Sequence, residues 1–138
     1  MANGEHKESC INTKKKIMII DDENDFLEIT KLNLEQTNKY EVMALSQAKE
    51  IISQLHTFEP NLILLDILMP GIDGLKACEV LNEDPLGRIT PIIILSALDK
   101  SQDKLKAYKL GVVDYITKPV DKNKLISKIE KALCSKKP

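Results

Sequence analysis

A chain of 138 residues with 43% hydrophobic and 30% charged side chains has the size of one globular domain with room for an ordinary core. Twenty Lys and Arg against 21 Asp and Glu leave a net charge of −1, which gives no electrostatic argument for direct nucleic-acid binding or an anionic membrane; with 4% aromatics and no Trp, base-stacking platforms are not expected either. Three widely spaced cysteines, Cys10, Cys78 and Cys134, with no Cys-x-x-Cys, argue against a disulfide framework or zinc knuckle and fit a reducing cytoplasmic setting.

Residues 1–14 are polar, lack the apolar core of a secretory signal, and read as a flexible leader. No apolar run approaches the ~18 residues that span a bilayer. One domain is expected over 15–134, with 135–138 as a tail or the start of a linker. Lys14-Lys15-Lys16 reads as a solvated strand entry, and Ile17-Met18-Ile19-Ile20 as a strand ending in Asp21-Asp22. Asp25 to Thr37 has helix character, with Phe26, Ile29, Leu27 and Leu34 on neighbouring faces, and Tyr40 to Ala44 is a short strand. Ser46 can N-cap a helix whose Ala48, Ile51, Ile52 and Leu55 fall at i, i+3, i+4 and i+7.

Asn61 to Leu65 is an apolar run bounded by Pro60 and by Pro70-Gly71, the pattern of a strand buried on both faces, and it ends on Asp66. Turn residues through Gly74 lead into a third helix marked by Leu75, Cys78 and Leu81, closed by Asp84-Pro85 and Gly87. Ile92 to Leu95 is a strand ending in Ser96. Ser101 to Leu110 is a fourth helix with Gly111 as an αL cap, and Tyr115-Ile116-Thr117 is a strand ending in Lys118-Pro119. Asp121 caps a last helix with a stripe of Leu125, Ile126, Ile129 and Leu133.

Strand and helix alternate five times with short connections, which predicts an α/β fold with a parallel sheet and helices on both faces. Right-handed crossovers then bring every strand's C-terminus to one edge, where ligands of open α/β sheets bind. Asp21, Asp22 and Asp66 gathered there would repel one another and need a cation or protons. All-oxygen ligands select a hard ion, and Mg²⁺ suits a shallow site that keeps several waters. A lone Asp pair would more simply cap the next helix through its charge at the helix N-terminus. Ser96 and Lys118 on the other strand ends outweigh that explanation, since an ammonium beside three carboxylates offsets their charge and can also meet a phosphoryl group. His6 and His56 read as surface residues, so no imidazole stands ready to activate Ser96.

Asp21-Asp22, then Asp66 in Leu-Leu-Asp-Ile-Leu-Met-Pro-Gly-Ile-Asp-Gly, then Ser96-Ala97, then Lys118-Pro119 form an ordered set that resembles the receiver domain of two-component response regulators. The resemblance implies a flavodoxin-like (βα)5 doubly wound, five-stranded parallel sheet of order 2-1-3-4-5. It implies that Asp66 accepts a phosphoryl group from a phosphohistidine on a sensor histidine kinase or a histidine phosphotransfer protein. Asp22 and Asp66 would bind Mg²⁺, or Mn²⁺ in its place, directly and with the backbone carbonyl of Leu68; Asp21 would act mostly through water. Lys118 would contact the phosphoryl group, Ser96 and the Ala97 backbone would hydrogen-bond it, and Lys118–Pro119 would be a cis peptide.

The same resemblance implies a switch in which Ser96 moves toward the phosphoryl group and Tyr115 fills the space it leaves. The face of the fourth helix, fifth strand and fifth helix would then meet a partner, an output module or a second copy. Such a domain is not an enzyme beyond its own phosphorylation and dephosphorylation. Leu68 and Leu98, where many relatives carry polar residues, imply slow autodephosphorylation. The alternatives are a single-domain phosphotransfer shuttle, a phosphatase with an Asp nucleophile, and a flavodoxin-like cofactor binder. The phosphatase lacks its general acid where Leu68 stands. The cofactor binder wants a phosphate-cradling first loop where Asp21-Asp22-Glu23 stands.

Overall fold

The computed structural model describes residues 13–69, 72–97 and 101–134. Most of the leader with His6 and Cys10, the Pro70-Gly71 turn, Leu98 and the 135–138 tail lie outside the described residues. The elements are β1 (Lys15–Ile20), α1 (Asn24–Glu35), β2 (Tyr40–Leu45), a 3₁₀ turn (Ala48–Glu50) running into α2 (Ile51–Phe58), β3 (Leu62–Asp66), α3 (Gly74–Glu83), a one-turn helix (Pro85–Ile89), β4 (Ile92–Ser96), α4 (Ser101–Lys109), β5 (Asp114–Thr117) and α5 (Lys122–Cys134). Two-residue strands Leu68–Met69 and Ile72–Asp73 pair antiparallel between β3 and α3.

The main sheet is all parallel, in the order β2-β1-β3-β4-β5. Its centre is dry: every residue of β3 and β4 is buried, as expected of strands covered on both faces. Side chains alternate between two cores, as the two-residue period of a strand requires. Ile17, Ile19, Leu64, Ile93 and Leu95 pack with Leu27 and Leu34 of α1 and Leu125 and Ile129 of α5. Met18, Ile20, Ile63, Leu65 and Ile94 pack on the opposite face with Ile51 and Leu55 of α2, Cys78 and Leu81 of α3, and Ala107 of α4. Burying each such side chain is worth roughly 1.5–3 kcal/mol, which makes these apolar runs the strongest determinants of register.

Local chemistry sets most of the boundaries. Asp121 Oδ2 accepts from the Lys124 N–H at 2.9 Å and caps α5. Gly111, with φ 89°, ends α4, and the Val112 N–H reaches back to the Ala107 carbonyl at 3.2 Å. Two expectations need correction. Ser46 caps nothing: β2 continues to Leu45, the chain stays extended at Gln47, and the 3₁₀ turn intervenes before α2. Asp84-Pro85 and Gly87 do not simply close α3. They build the one-turn helix, in which Asp84 Oδ1 accepts from the Leu86 and Gly87 N–H groups and Pro85 takes the first position. The two neighbouring apolar faces of α1 are as expected: Leu27, Thr30 and Leu34 turn to the sheet, and Phe26 and Ile29, the latter 59% exposed, lie on its flank.

His56 lies on the surface at the end of α2, with its Nε2 2.7 Å from Asp84 Oδ2. That hydrogen bond, against a smaller opposing effect of burial, holds the Asp84 carboxyl below the usual carboxylate range. It ties α2 to the start of the one-turn helix.

Candidate functional site

The register of the sheet places four strand ends at one level. Ile20 pairs with Leu65, Asp66 with Leu95, and Ser96 with Thr117. Asp21 therefore falls level with Asp66, and Lys118 follows directly on the row that holds Ser96. Backbone bonds carry the ladder past the strands: Asp21 N–H to the Leu45 carbonyl at 3.0 Å, Ile67 N–H to the Leu95 carbonyl at 3.2 Å, and Lys118 N–H to the Ser96 carbonyl at 2.7 Å. These side chains thus spring from rigid backbone at the rim of the core, the carboxyl edge where open α/β sheets bind ligands.

Asp21, Asp22 and Asp66 each offer a carboxylate oxygen, and these oxygens all lie within 4.8 Å of one another. Asp21 and Asp66 are buried, at 0% and 3% exposure, while Asp22 is open to water. Oxygen donors with one open side and room for waters fit a hard divalent ion such as Mg²⁺. Leu68, whose carbonyl is the expected fourth protein ligand, begins the small hairpin two residues beyond Asp66.

Lys118 supplies the counter-charge. Its Nζ lies 2.6 Å from Asp21 Oδ2, 2.7 Å from Glu23 Oε1 and 3.5 Å from Asp66 Oδ2. Burial alone would lower the pKa of this amine, but the hydrogen bonds to Asp21 and Glu23 and the charges of Asp66 and Asp21 outweigh it and hold the ammonium above the ordinary lysine range. Lys118 is therefore a fixed positive charge at any physiological pH. The peptide from Lys118 to Pro119 is cis. Ser96 is fully buried at the end of β4, and Ala97, the next residue, is exposed at the edge. Tyr115, 7% exposed, sits one strand over, two residues before Thr117, the register partner of Ser96; the Lys104 ammonium of α4 lies 5.4 Å from its ring centroid.

Asp21, Asp22, Asp66 and Lys118 thus meet at one point, with Ser96 and Ala97 on the same edge. Two participants were not evident in the sequence. Glu23 gives Lys118 a third carboxylate partner beside Asp21 and Asp66, and the Phe26 ring centroid lies 4.4 Å from the Lys118 ammonium. The only hint was Glu23's position directly after the Asp pair. A cleft of about 540 Å³ opens beside them, with Phe26, Ile29, Pro119, Val120 and Leu125 on its walls and Lys118 at its head.

Comparison with known proteins agrees with this geometry. A family model described as the response regulator receiver domain matches residues 17–130. The chain is 34% identical over 119 residues to the alkaline phosphatase synthesis transcriptional regulatory protein PhoP of Bacillus subtilis, covering 86% of this chain and 48% of that protein. The chain therefore spans about half the length of that curated relative. A CheY-like response regulator receiver domain protein from Methanospirillum hungatei superposes with a TM-score of 0.81 at 29% identity, over 88% of this chain and 95% of that one. The chemotaxis protein CheY4 of Vibrio cholerae shares the fold at 18% identity, with a TM-score of 0.82 over 87% of this chain and 99% of that one. A family match over most of the chain, on a sheet of this order with this acidic edge, makes the chain a member of the response regulator receiver domain family.

Proposed function

We propose that the domain is a phosphorylation-dependent switch whose Asp66 takes a phosphoryl group from a phosphohistidine on a sensor histidine kinase or a histidine phosphotransfer protein. The observation that carries this reading is the setting of Asp66: a buried carboxylate on the central strand, inside a cluster of three, with a lysine ammonium 3.5 Å away. A carboxylate is a weak nucleophile, yet phosphoryl transfer through a loose transition state asks mainly for positioning and charge cancellation. An Asp66 oxygen attacks phosphorus, the P–N bond of the donor breaks, and its electron pair returns to the imidazole; the product is an acyl phosphate on Asp66. Lys118 offsets charge on the phosphoryl oxygens, and Ser96 and the Ala97 backbone donate hydrogen bonds to them. Asp21, Asp22 and Asp66 would hold Mg²⁺ together with the Leu68 carbonyl, and the ion would supply further charge neutralisation when bound.

The cleft favours a protein donor, because its apolar walls include the exposed Ile29 and it is lined also by Lys118 and Ala97 of the same edge. Readout would pass through Ser96 and Tyr115 to the face of α4, β5 and α5, a two-state element biased by the phosphoryl group. Tyr115→Ala is then expected to leave phosphorylation intact and to weaken phosphorylation-dependent dimerisation or partner binding, read by analytical ultracentrifugation before and after acetyl phosphate. Unchanged association would remove Tyr115 from the switch.

The direct test is incubation with acetyl phosphate and Mg²⁺ followed by intact-mass measurement. Wild type should gain one phosphoryl group, and should fail to do so with a chelator present. Asp66→Asn should gain none. An Asp66→Asn protein labelled to the wild-type extent would refute the assignment.

A further inference from the structure

An ammonium has three N–H donors. Two of those of Lys118 are committed at short range, to Asp21 Oδ2 at 2.6 Å and to Glu23 Oε1 at 2.7 Å, while Asp66 Oδ2 at 3.5 Å stands at the limit of hydrogen bonding. The same ammonium rests 4.4 Å from the Phe26 ring centroid. Glu23 and Phe26 stand at the entrance and in the first turn of α1, so a single helix end holds the lysine from two sides. Glu23 is not one of the three clustered carboxylates. A divalent ion bound there would compete with Lys118 for Asp21 and Asp66 but would not contest its contacts with Glu23 and Phe26.

We propose that Glu23 and Phe26 form a latch: positioning residues that keep Lys118 drawn back from Asp66 until a phosphoryl group pulls it across. This rests on the phosphoacceptor reading of Asp66. The third N–H stands at the limit of reach from Asp66, so to bond a phosphoryl oxygen there at full strength Nζ must move toward it, which stretches one of the two short contacts. Asp21 is fully buried and cannot exchange the ammonium for water without a large penalty. The Glu23 side chain is 61% exposed, so water replaces Lys118 there at little cost. Glu23 is therefore the arm that opens. The latch holds back a small part of the lysine's charge from the reaction and lowers the chance of activation without a donor.

Removing a pair this exposed should speed phosphorylation by acetyl phosphate about two- to fivefold. Glu23 makes no side-chain cap bond to α1, so its variants should fold normally. Glu23→Asp separates the latch from simple charge repulsion of the phosphate donor. It keeps the charge but is too short to reach Nζ, so it should react as fast as Glu23→Gln. Phe26→Trp provides a spectroscopic readout, since the chain has no Trp of its own. The indole emission of that variant should change on phosphorylation as the ammonium leaves the ring, and the change should shrink when Glu23→Gln is added.

Rates for Glu23→Asp matching wild type would overturn the latch. So would an indole emission in the Phe26→Trp variant that stays unmoved while intact mass shows the phosphoryl gain. If wild type gains no phosphoryl group at all, the phosphoacceptor reading itself falls and the latch falls with it.

Discussion

Lys118→Met is expected to lower the stability of the metal-free domain by about 2–3 kcal/mol, to recover most of that loss when Mg²⁺ is added, and still to react with acetyl phosphate about a hundredfold more slowly than wild type. Breaking a buried ion pair by removing one partner commonly costs about 3–5 kcal/mol, because the remaining charge stays buried. Here the value is discounted, since Asp22 and Glu23 are open to water and part of the field is screened. The stranded groups are Asp21 and Asp66, both deep in the edge. A divalent ion can offset their repulsion, and its binding adds stability by mass action. It cannot also replace a hydrogen-bond donor to the transferring phosphoryl group, so rate and stability should separate.

The pH dependence follows from the sign of the shift. The folded-state pKa of Lys118 is raised, so its contribution is fully present below the ordinary lysine value and disappears only as pH rises through the folded value, in strong alkali. The stability difference between wild type and Lys118→Met should therefore be flat between about pH 7 and about pH 9. Urea titrations with and without Mg²⁺, together with initial phosphorylation rates, provide the check. Full restoration of the rate by Mg²⁺, or no change in stability, would show that Lys118 is not the counter-charge of this edge.

Gly74→Ala is expected to damage both stability and the phosphorylation rate. A Cβ on Gly74 would lie 2.2 Å from the Cα of Ile67 and 2.7 Å from its Cβ, so backbone must shift, not merely a side chain. The Gly74 N–H also points to the Ile67 carbonyl, at 3.4 Å. Ile67 directly follows Asp66, so the start of α3 packs against the loop that carries Asp66. Overpacking of this kind costs about 1–3 kcal/mol. Because the displaced atoms adjoin Asp66, the phosphorylation rate should fall by more than the stability loss implies. Thermal melts and acetyl phosphate kinetics on the same preparation test the two effects together. A variant that melts like wild type and reacts at the wild-type rate would mean that α3 can move away without disturbing Asp66.

Much of this edge was legible in the residues because the strands are buried on both faces. Runs such as Ile17–Ile20, Leu62–Leu65 and Ile92–Leu95 have few alternative structures, and each ends on a polar residue. Parallel connectivity then requires Asp21, Asp66, Ser96 and Lys118 to share one edge. Weaker local signals were overridden by the tertiary structure. Ser46 has the right chemistry for a cap, but pairing with β1 keeps β2 extended through Leu45. Asp84 looks like a helix ending and instead starts the next turn, where the buried Gly87 would place a Cβ 2.3 Å from the Leu81 carbonyl oxygen. Glu23 and Phe26 reach Lys118 across more than ninety positions of sequence, a contact that no local spacing encodes.

The most direct measurement is to place the phosphoryl group on the chain. Borohydride reduction of the acetyl phosphate-treated, Mg²⁺-loaded domain converts an aspartyl phosphate to homoserine, which peptide mass spectrometry can locate. Homoserine is expected at position 66 and not at Asp21 or Asp22. Modification at either of those residues, or a borohydride-resistant phosphate on Ser96, would contradict the account.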